Sequence, residues 1–246
     1  MSRLLYIEPV AHTLFSRHFT QLCERLAPAG LAVDVVHLPG DAASPFLSSI
    51  ELVRKPLLST IGDAAVDGYD GVVVGCASDP CVLAGRETSS IPVVGPFGAS
   101  LHLAAIRRQR IGVVTPGPDS ELDFLRALSD EYGLADRVVG VRIADVGHPE
   151  PGRALEERMR TSPDAVRDEI LAMHAASVLN RGAAVRAAEE LIEEDGAEVL
   201  VLACTFWAGT ISPLRAALPV AVVDPLEAVL AVGAALCEAD TATVPS

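Results

Sequence analysis

Lysine is nearly absent: Lys55 is the only one in 246 residues, and aromatic residues make up just 4%. Lys55 lies in a helical stretch, away from any strand end. The chain therefore offers no lysine and phosphate cradle for a pyridoxal group, and no cofactor is implied. Also missing is any run of roughly 18 apolar residues, the length a membrane helix needs. The opening MSRLLYIEPVAH has only a short apolar stretch before Glu8 and Pro9. It does not read as a signal peptide, so the expected compartment is the cytoplasm. Positive charge is scarce, with 19 Lys and Arg against 33 Asp and Glu and a formal net charge of -14. Nucleic acid and anionic membranes are bound by clustered cations, so both are excluded as main partners and a small molecule is expected instead. The cysteines are five, an odd number, and none forms a C-x-x-C pair. Neither a disulfide framework nor a zinc site is implied, and no metal is expected. No G-x-G-x-x-G or Walker A segment follows the first strand, which sets nucleotide binding aside.

What is present is a rhythm of short apolar strand, polar turn and amphipathic helix. Candidate strands are Leu4–Ile7, Val33–His37, Gly71–Gly75, Val93–Gly95, Ile111–Thr115, Val138–Ile143, Val199–Ala203 and Val220–Val223. Most are unbroken Val, Ile and Leu runs, the pattern of strands buried on both faces of a parallel sheet. Phe15, Phe19, Leu22 and Leu26 form one apolar helical stripe. Pro163 to Asp195 reads as a long helical region that Gly182 can break, with Val166, Ile170 and Met173 on one side. Gly147 to Pro163 is polar and rich in proline, and reads as an excursion or flexible loop.

The two halves resemble each other. GVVVGC ends at Cys76 and VLVLAC at Cys204, half a chain apart. Each is followed by a turn, a short helix and a strand that starts with proline, PVVGP at Pro92 and PVAVVDP at Pro219. The expected fold is α/β, with two pseudo-symmetric lobes, each a doubly wound parallel sheet, and an active site in the cleft between them. The lobes are expected at 1–104 plus 225–246 and at 105–224.

Ligands of open parallel sheets bind beyond the carboxyl ends of the strands. Cys76 and Cys204 are both placed there, each expected ahead of a helix N-terminus that favours thiolate. Inverting a carbon centre needs a base on one face and an acid on the other. One thiol from each half supplies that pair, and Ser78, Thr205 and Thr115 are placed to hold a carbonyl oxygen as it becomes enolate-like. Free cysteine is more often packing than chemistry. That reading is preferred for Cys23 and Cys237, which lie on apolar helices, and for Cys81. Asp79-Pro80 fits an N-cap and first helical residue, with direct substrate contact by Asp79 as the second reading. Arg86 and Glu87 read as a surface pair or a tie between lobes. The six histidines show no metal spacing, although His148 in the polar excursion can approach the site. Phe206 and Trp207 read either as core or as an apolar pocket wall, with the wall preferred because they begin a turn at a strand end.

GCASDPCVLAGRE from Gly75, PVVGPFGASLHLA from Pro92, RIGVVTP from Arg110 and GAEVLVLACTFWAG from Gly196 resemble, in order, segments of the aspartate/glutamate racemase superfamily, nearest the hydantoin and allantoin racemases. The resemblance implies a cofactor-independent racemase or epimerase, an isomerase, with Cys76 and Cys204 as its bases. It implies a homo-oligomer. The best guess for the substrate is a 5-substituted hydantoin or related amino-acid derivative. The groups expected at the substrate are Glu8, Pro9, Ala77, Ser78, Asp79, Thr115, Thr205 and Phe206. Two departures stand out: Glu8 occupies a position where the family often carries asparagine, and Phe97-Gly98 replaces a more polar sequence. Two cysteines disfavour relatives that keep one, such as arylmalonate decarboxylases. The alternatives are a maleate cis–trans isomerase-like or decarboxylase-like enzyme, in which one cysteine dominates, and a non-catalytic small-molecule binding protein.

Overall fold

Residues 1–40, 44–47, 49–149, 151–179 and 181–241 are described by a computed structural model. The chain divides into two compact units, Met1–Pro96 with Glu150–Arg167 and Val229–Ser246, and Phe97–Pro149 with Asp168–Ala228.

In the first unit, β1 (Ser2–Glu8), β2 (Leu31–His37), β3 (Gly71–Val74) and β4 (Val93–Val94) form a parallel sheet in the order β2-β1-β3-β4. In the second, β5 (Ile111–Thr115), β6 (Val138–Ile143), β7 (Val199–Leu202) and β8 (Ala221–Val223) form another in the order β6-β5-β7-β8. The two orders are the same, so the repeat seen in the sequence is a repeat of topology. All eight expected strands are present. Every residue of β3, β5 and β7 is buried. Burying each Val or Leu side chain is worth about 1.5–3 kcal/mol, which draws these runs into the middle of a sheet.

The helices are α1 (Ser16–Leu26), α2 (Ile50–Ala64), α3 (Val82–Thr88), α4 (Pro96–Arg107), α5 (Asp119–Glu131), α6 (Arg153–Thr161), α7 (Pro163–Ser177), α8 (Ala183–Glu193), α9 (Ser212–Ala217) and α10 (Pro225–Thr241). The stripe of α1 buries Phe19 and Leu22. Gly182 does divide the long helical region, as the N-cap of α8. Two expectations need correction. The polar excursion contains α6, which buries Leu155 and carries a Glu157–Arg160 ion pair one turn apart. The two units depart from the expected lobes at three places: residues 97–104 and 225–228, expected with the first lobe, fall in the second unit, and 150–167, expected with the second, fall in the first. For 97–104 the packing is visible: the Tyr132 ring at the end of α5 occupies the space a side chain at Gly98 would need, and His102 meets the same ring edge-on.

The chain tolerates no Cβ at Gly75. One built there would lie 2.4 Å from the ring of Tyr6, a fully buried residue of β1 whose hydroxyl donates to the Gly75 carbonyl. Gly75→Ala is expected to lower the unfolding free energy by about 1–3 kcal/mol through overpacking. Gly62, inside α2, has nothing within 4 Å of its Cβ position. Gly62→Ala is expected to stabilise by up to about 1 kcal/mol through helix propensity. Urea midpoints of the two variants, shifted in opposite directions from the parent, check both.

Candidate active site

Both cysteines stand one step beyond the last paired residue of their strand. In the first unit the ladder is prolonged by Gly75 N donating to the Ile7 carbonyl at 2.8 Å, and Cys76 follows. In the second, Ala203 N donates to the Val114 carbonyl at 2.8 Å, and Cys204 follows. Both side chains are half-buried. The other three cysteines pack. Cys23 and Cys237 are fully buried, and Cys81 lies against the core of the first unit. Burial, reinforced by Glu8 and Glu24, pushes the Cys23 thiol up to about 12.

The turn after Cys76 is not the expected helix start. Asp79 and Cys81 both adopt left-handed backbone, at φ 45° and 59°, and α3 begins only at Val82. Asp79 is therefore not the N-cap of α3, Pro80 is not its first residue, and Cys76 does not sit at a helix N-terminus. The main chain closes the turn instead, through Asp79 N to the Cys76 carbonyl and Val82 N to the Asp79 carbonyl. Two non-glycine residues in this sparsely populated region mark a turn held by its surroundings, a frequent property of working sites. Within it Ser78 Oγ lies 3.1 Å from Cys76 Sγ. Ala77 and Asp79 are buried, and Ser78 is half-buried.

The Asp79 carboxylate fills the space beside Gly95, 2.3 Å from where a Cβ would stand. The second unit makes the equivalent tie with the roles exchanged. Asp224, immediately before α10, accepts from Gly209 N at 2.8 Å in the turn after Cys204, and from Leu226 N and Glu227 N. Arg86 Nε donates to the Val93 carbonyl and Arg215 Nε to the Val222 carbonyl, so each arginine ties its helix to its own sheet.

A similar exchange occurs at the ends of the central strands. Glu8 ends β1, buried beside Pro9, and Ser16 Oγ donates to its carboxylate at 2.5 Å. Burial raises the Glu8 carboxyl to about 7 against the opposing pull of that hydrogen bond. The carboxyl therefore holds its proton to a higher pH than an exposed glutamate does. Thr115 ends β5, fully buried. Its hydroxyl donates to Glu121 Oε2 at 2.8 Å and accepts from Gly117 N. Its one proton is thus engaged within the fold.

A residue the sequence reading passed over completes the second cysteine's surroundings. His174 on α7 is fully buried, with Nδ1 2.9 Å from the Ile170 carbonyl, and its Nε2 lies 3.7 Å from Cys204 Sγ and 3.3 Å from His148 Nε2. Its ring packs 5.2 Å from that of Phe206 and 5.7 Å from that of Trp207. Burial lowers the His174 imidazole to about 4. Trp207 belongs to the core rather than to a pocket wall: it is fully buried, and its Nε1 donates to Ser177 Oγ at 2.8 Å. Phe206 is half-buried, and Thr205 is buried at the start of the short 3-10 turn. Among the described residues no group of three or more His, Cys, Asp or Glu side chains is arranged to hold a metal ion, and no helix is long and apolar enough to cross a membrane.

The profile of the Asp/Glu/Hydantoin racemase family matches residues 4–232. The chain is 29% identical over 187 residues to the hydantoin racemase of Rhizobium meliloti, covering 76% of this chain and 68% of that one. It is 26% identical over 237 residues to the hydantoin racemase of Paenarthrobacter aurescens, covering 95% and 90%. In fold it is similar to the allantoin racemase from Klebsiella pneumoniae, with a TM-score of 0.74 at 21% identity over 98% of this chain and 89% of that one. With a match that takes in both sheets and both cysteine turns, the chain belongs to the Asp/Glu/hydantoin racemase family and is an isomerase of the racemase class.

Proposed function

We propose that the protein racemises a cyclic carbon acid of the 5-substituted hydantoin type, with Cys76 and Cys204 as the two bases. The observation that carries this reading is the pair of half-buried thiols, each two residues past the end of a buried parallel strand in topologically equivalent sheets. One thiolate takes the hydrogen from the carbon next to the carbonyl. The electron pair moves onto the carbonyl oxygen, and the other thiol returns a proton to the opposite face. The product is the mirror image, no bond is oxidised, and no cofactor is consumed. Neutral donors suit the enolate oxygen, and Ser78, Thr205 and the amides of their turns are the groups proposed to hold it. Pro9, Ala77 and Phe206 supply the apolar wall, and Asp79 holds the Cys76 turn in shape. The hydantoin racemase relatives from two organisms point to the substrate class. The ionised fraction of Glu8 supports a ring amide over a free amino-acid carboxylate, because it repels an anion and leaves an uncharged ring unaffected.

The test is isotopic. Single enantiomers of 5-substituted hydantoins, allantoin and free amino acids are incubated with the enzyme in deuterated water. Optical rotation is followed together with deuterium at the stereocentre. A hydantoin is expected to lose rotation and gain deuterium at that carbon, with amino acids inert. Binding without exchange, or exchange confined to amino acids, contradicts the proposal.

A further inference from the structure

We infer that the two thiols rest in different protonation states: His174 holds Cys204 as the thiol, while Cys76 rests as the thiolate, so that Cys76 is the resting base and Cys204 the resting acid. This rests on the two-base reading above and adds the order in which the bases act.

The inference starts from a carbonyl. A carbonyl oxygen only accepts, so His174 Nδ1, 2.9 Å from the Ile170 oxygen, must carry the ring proton. A neutral imidazole has one N–H, which leaves Nε2 as a bare lone pair. That lone pair faces Cys204 Sγ at 3.7 Å, where it accepts an S–H and repels a thiolate. Burial keeps the ring neutral, and neighbouring His148 pushes the same way.

The groups around the ring agree. His148, on the segment after β6, brings its Nε2 to 3.3 Å. Because His174 Nε2 carries no proton, its single lone pair is shared between an N–H of His148 and the Cys204 S–H, and neither contact brings sulfur a proton from His174. Burial disfavours its cation, with Asp145 pulling the other way. The 3-10 turn after β7 presents the rings of Phe206 and Trp207. From α7 itself come the Ile170 carbonyl and Ser177, whose hydroxyl donates to the His174 carbonyl. In none of these arrangements does His174 offer sulfur a proton. Cys76, by contrast, has a hydroxyl at 3.1 Å in Ser78, which can donate to a thiolate and so stabilise it. His174 is fully buried and acts through the Cys204 sulfur, so it is a positioning residue.

The experiment needs no substrate, so its result stands apart from whether hydantoins are turned over. The enzyme is alkylated with iodoacetamide across a pH series, and the peptides carrying residues 76 and 204 are quantified by mass spectrometry. The pH midpoint of labelling is read for each cysteine because it is independent of access. Cys76 is expected to reach its midpoint about one pH unit below Cys204, the separation equivalent to a tenfold difference in acidity. His174→Asn keeps an amide donor for the Ile170 carbonyl and removes the nitrogen facing sulfur. It is expected to speed labelling of Cys204 near neutral pH about tenfold and leave Cys76 unchanged. A wild-type midpoint for Cys204 equal to or below that of Cys76 overturns the inference. So does slower labelling of Cys204 in the variant, which would mean that His174 stabilises a thiolate. If His174→Asn fails to fold, nitrogen-15 NMR of the wild-type imidazoles decides. A neutral ring protonated at Nδ1 from about pH 5 to 8 is expected. An imidazolium, or a ring protonated at Nε2, overturns it.

Discussion

Cys76→Ala and Cys204→Ala are each expected to lose racemase activity by about 10²–10⁴-fold or more, the range that one general acid–base group supplies. The loss should be symmetric in racemisation and asymmetric in exchange. Inversion requires a proton to leave one face and another to arrive on the opposite face, so removing either sulfur stops it. The remaining thiol still reaches its own face. Each single variant should therefore exchange deuterium into one enantiomer with retention, and the two variants should choose opposite enantiomers. Polarimetry and NMR of recovered substrate, run on both variants and both enantiomers, check this. A decarboxylase-like or cis–trans isomerase-like reaction predicts one indispensable cysteine and one dispensable one. Wild-type racemisation by either variant contradicts the two-base account.

Glu8→Gln is expected to stabilise the protein at alkaline pH by up to about 3 kcal/mol and to leave it nearly unchanged at about pH 4. The Glu8 carboxyl is raised from 4.5 to about 7 in the fold. Between those values the native state binds the proton that the unfolded chain releases. Stability from this group is therefore full below 4.5 and lost as pH rises through 7. Glutamine is neutral throughout and can still accept from Ser16. His174 has the opposite sign. Its imidazole is lowered from 6.5 to about 4, so its contribution is full above 6.5 and lost as pH falls towards 4. In the parent the two slopes oppose each other over most of the acid range. In Glu8→Gln the histidine slope stands alone, and the unfolding free energy should climb from about pH 4 to 6.5. Urea unfolding at several pH values measures this. Equal stability of parent and variant at about pH 8 would show that Glu8 is not buried as a carboxylate. A buried carboxylate that weakens the fold at neutral pH is what a site residue looks like when function rather than stability keeps it.

The sheets were legible because their central strands are buried on both faces, which leaves unbroken runs such as GVVV and VLVL that have no amphipathic alternative. The cysteine positions followed from those strand ends. Local signals failed where one residue pattern serves two geometries. Asp79-Pro80 carries a helix-start signature, yet here the same residues make a turn with left-handed backbone, and Asp79 is used against Gly95 instead. In α6, a single buried leucine among charges hid a helix supported by a Glu157–Arg160 pair. The strand-end position of Thr115 does not reveal that its hydroxyl bonds Glu121 of the following helix. His174 does carry a signal in the sequence. It lies four residues after Ile170 and eight after Val166, in line with the buried face of α7, where a histidine must find polar partners. Its approach to His148 and Cys204 spans 26 and 30 residues, and no periodicity reports contacts of that range.

The central claim is that separate groups remove and deliver the proton. It is tested most directly by isolating both enantiomers early in a reaction in deuterated water, before product reverts. With two thiols, each exchanging with solvent, the newly formed enantiomer should carry deuterium in almost every molecule while the recovered starting enantiomer remains protiated. Deuterium appearing equally in both from the outset, or product that keeps the original hydrogen, would mean one group serves both faces and would contradict the roles given to Cys76 and Cys204.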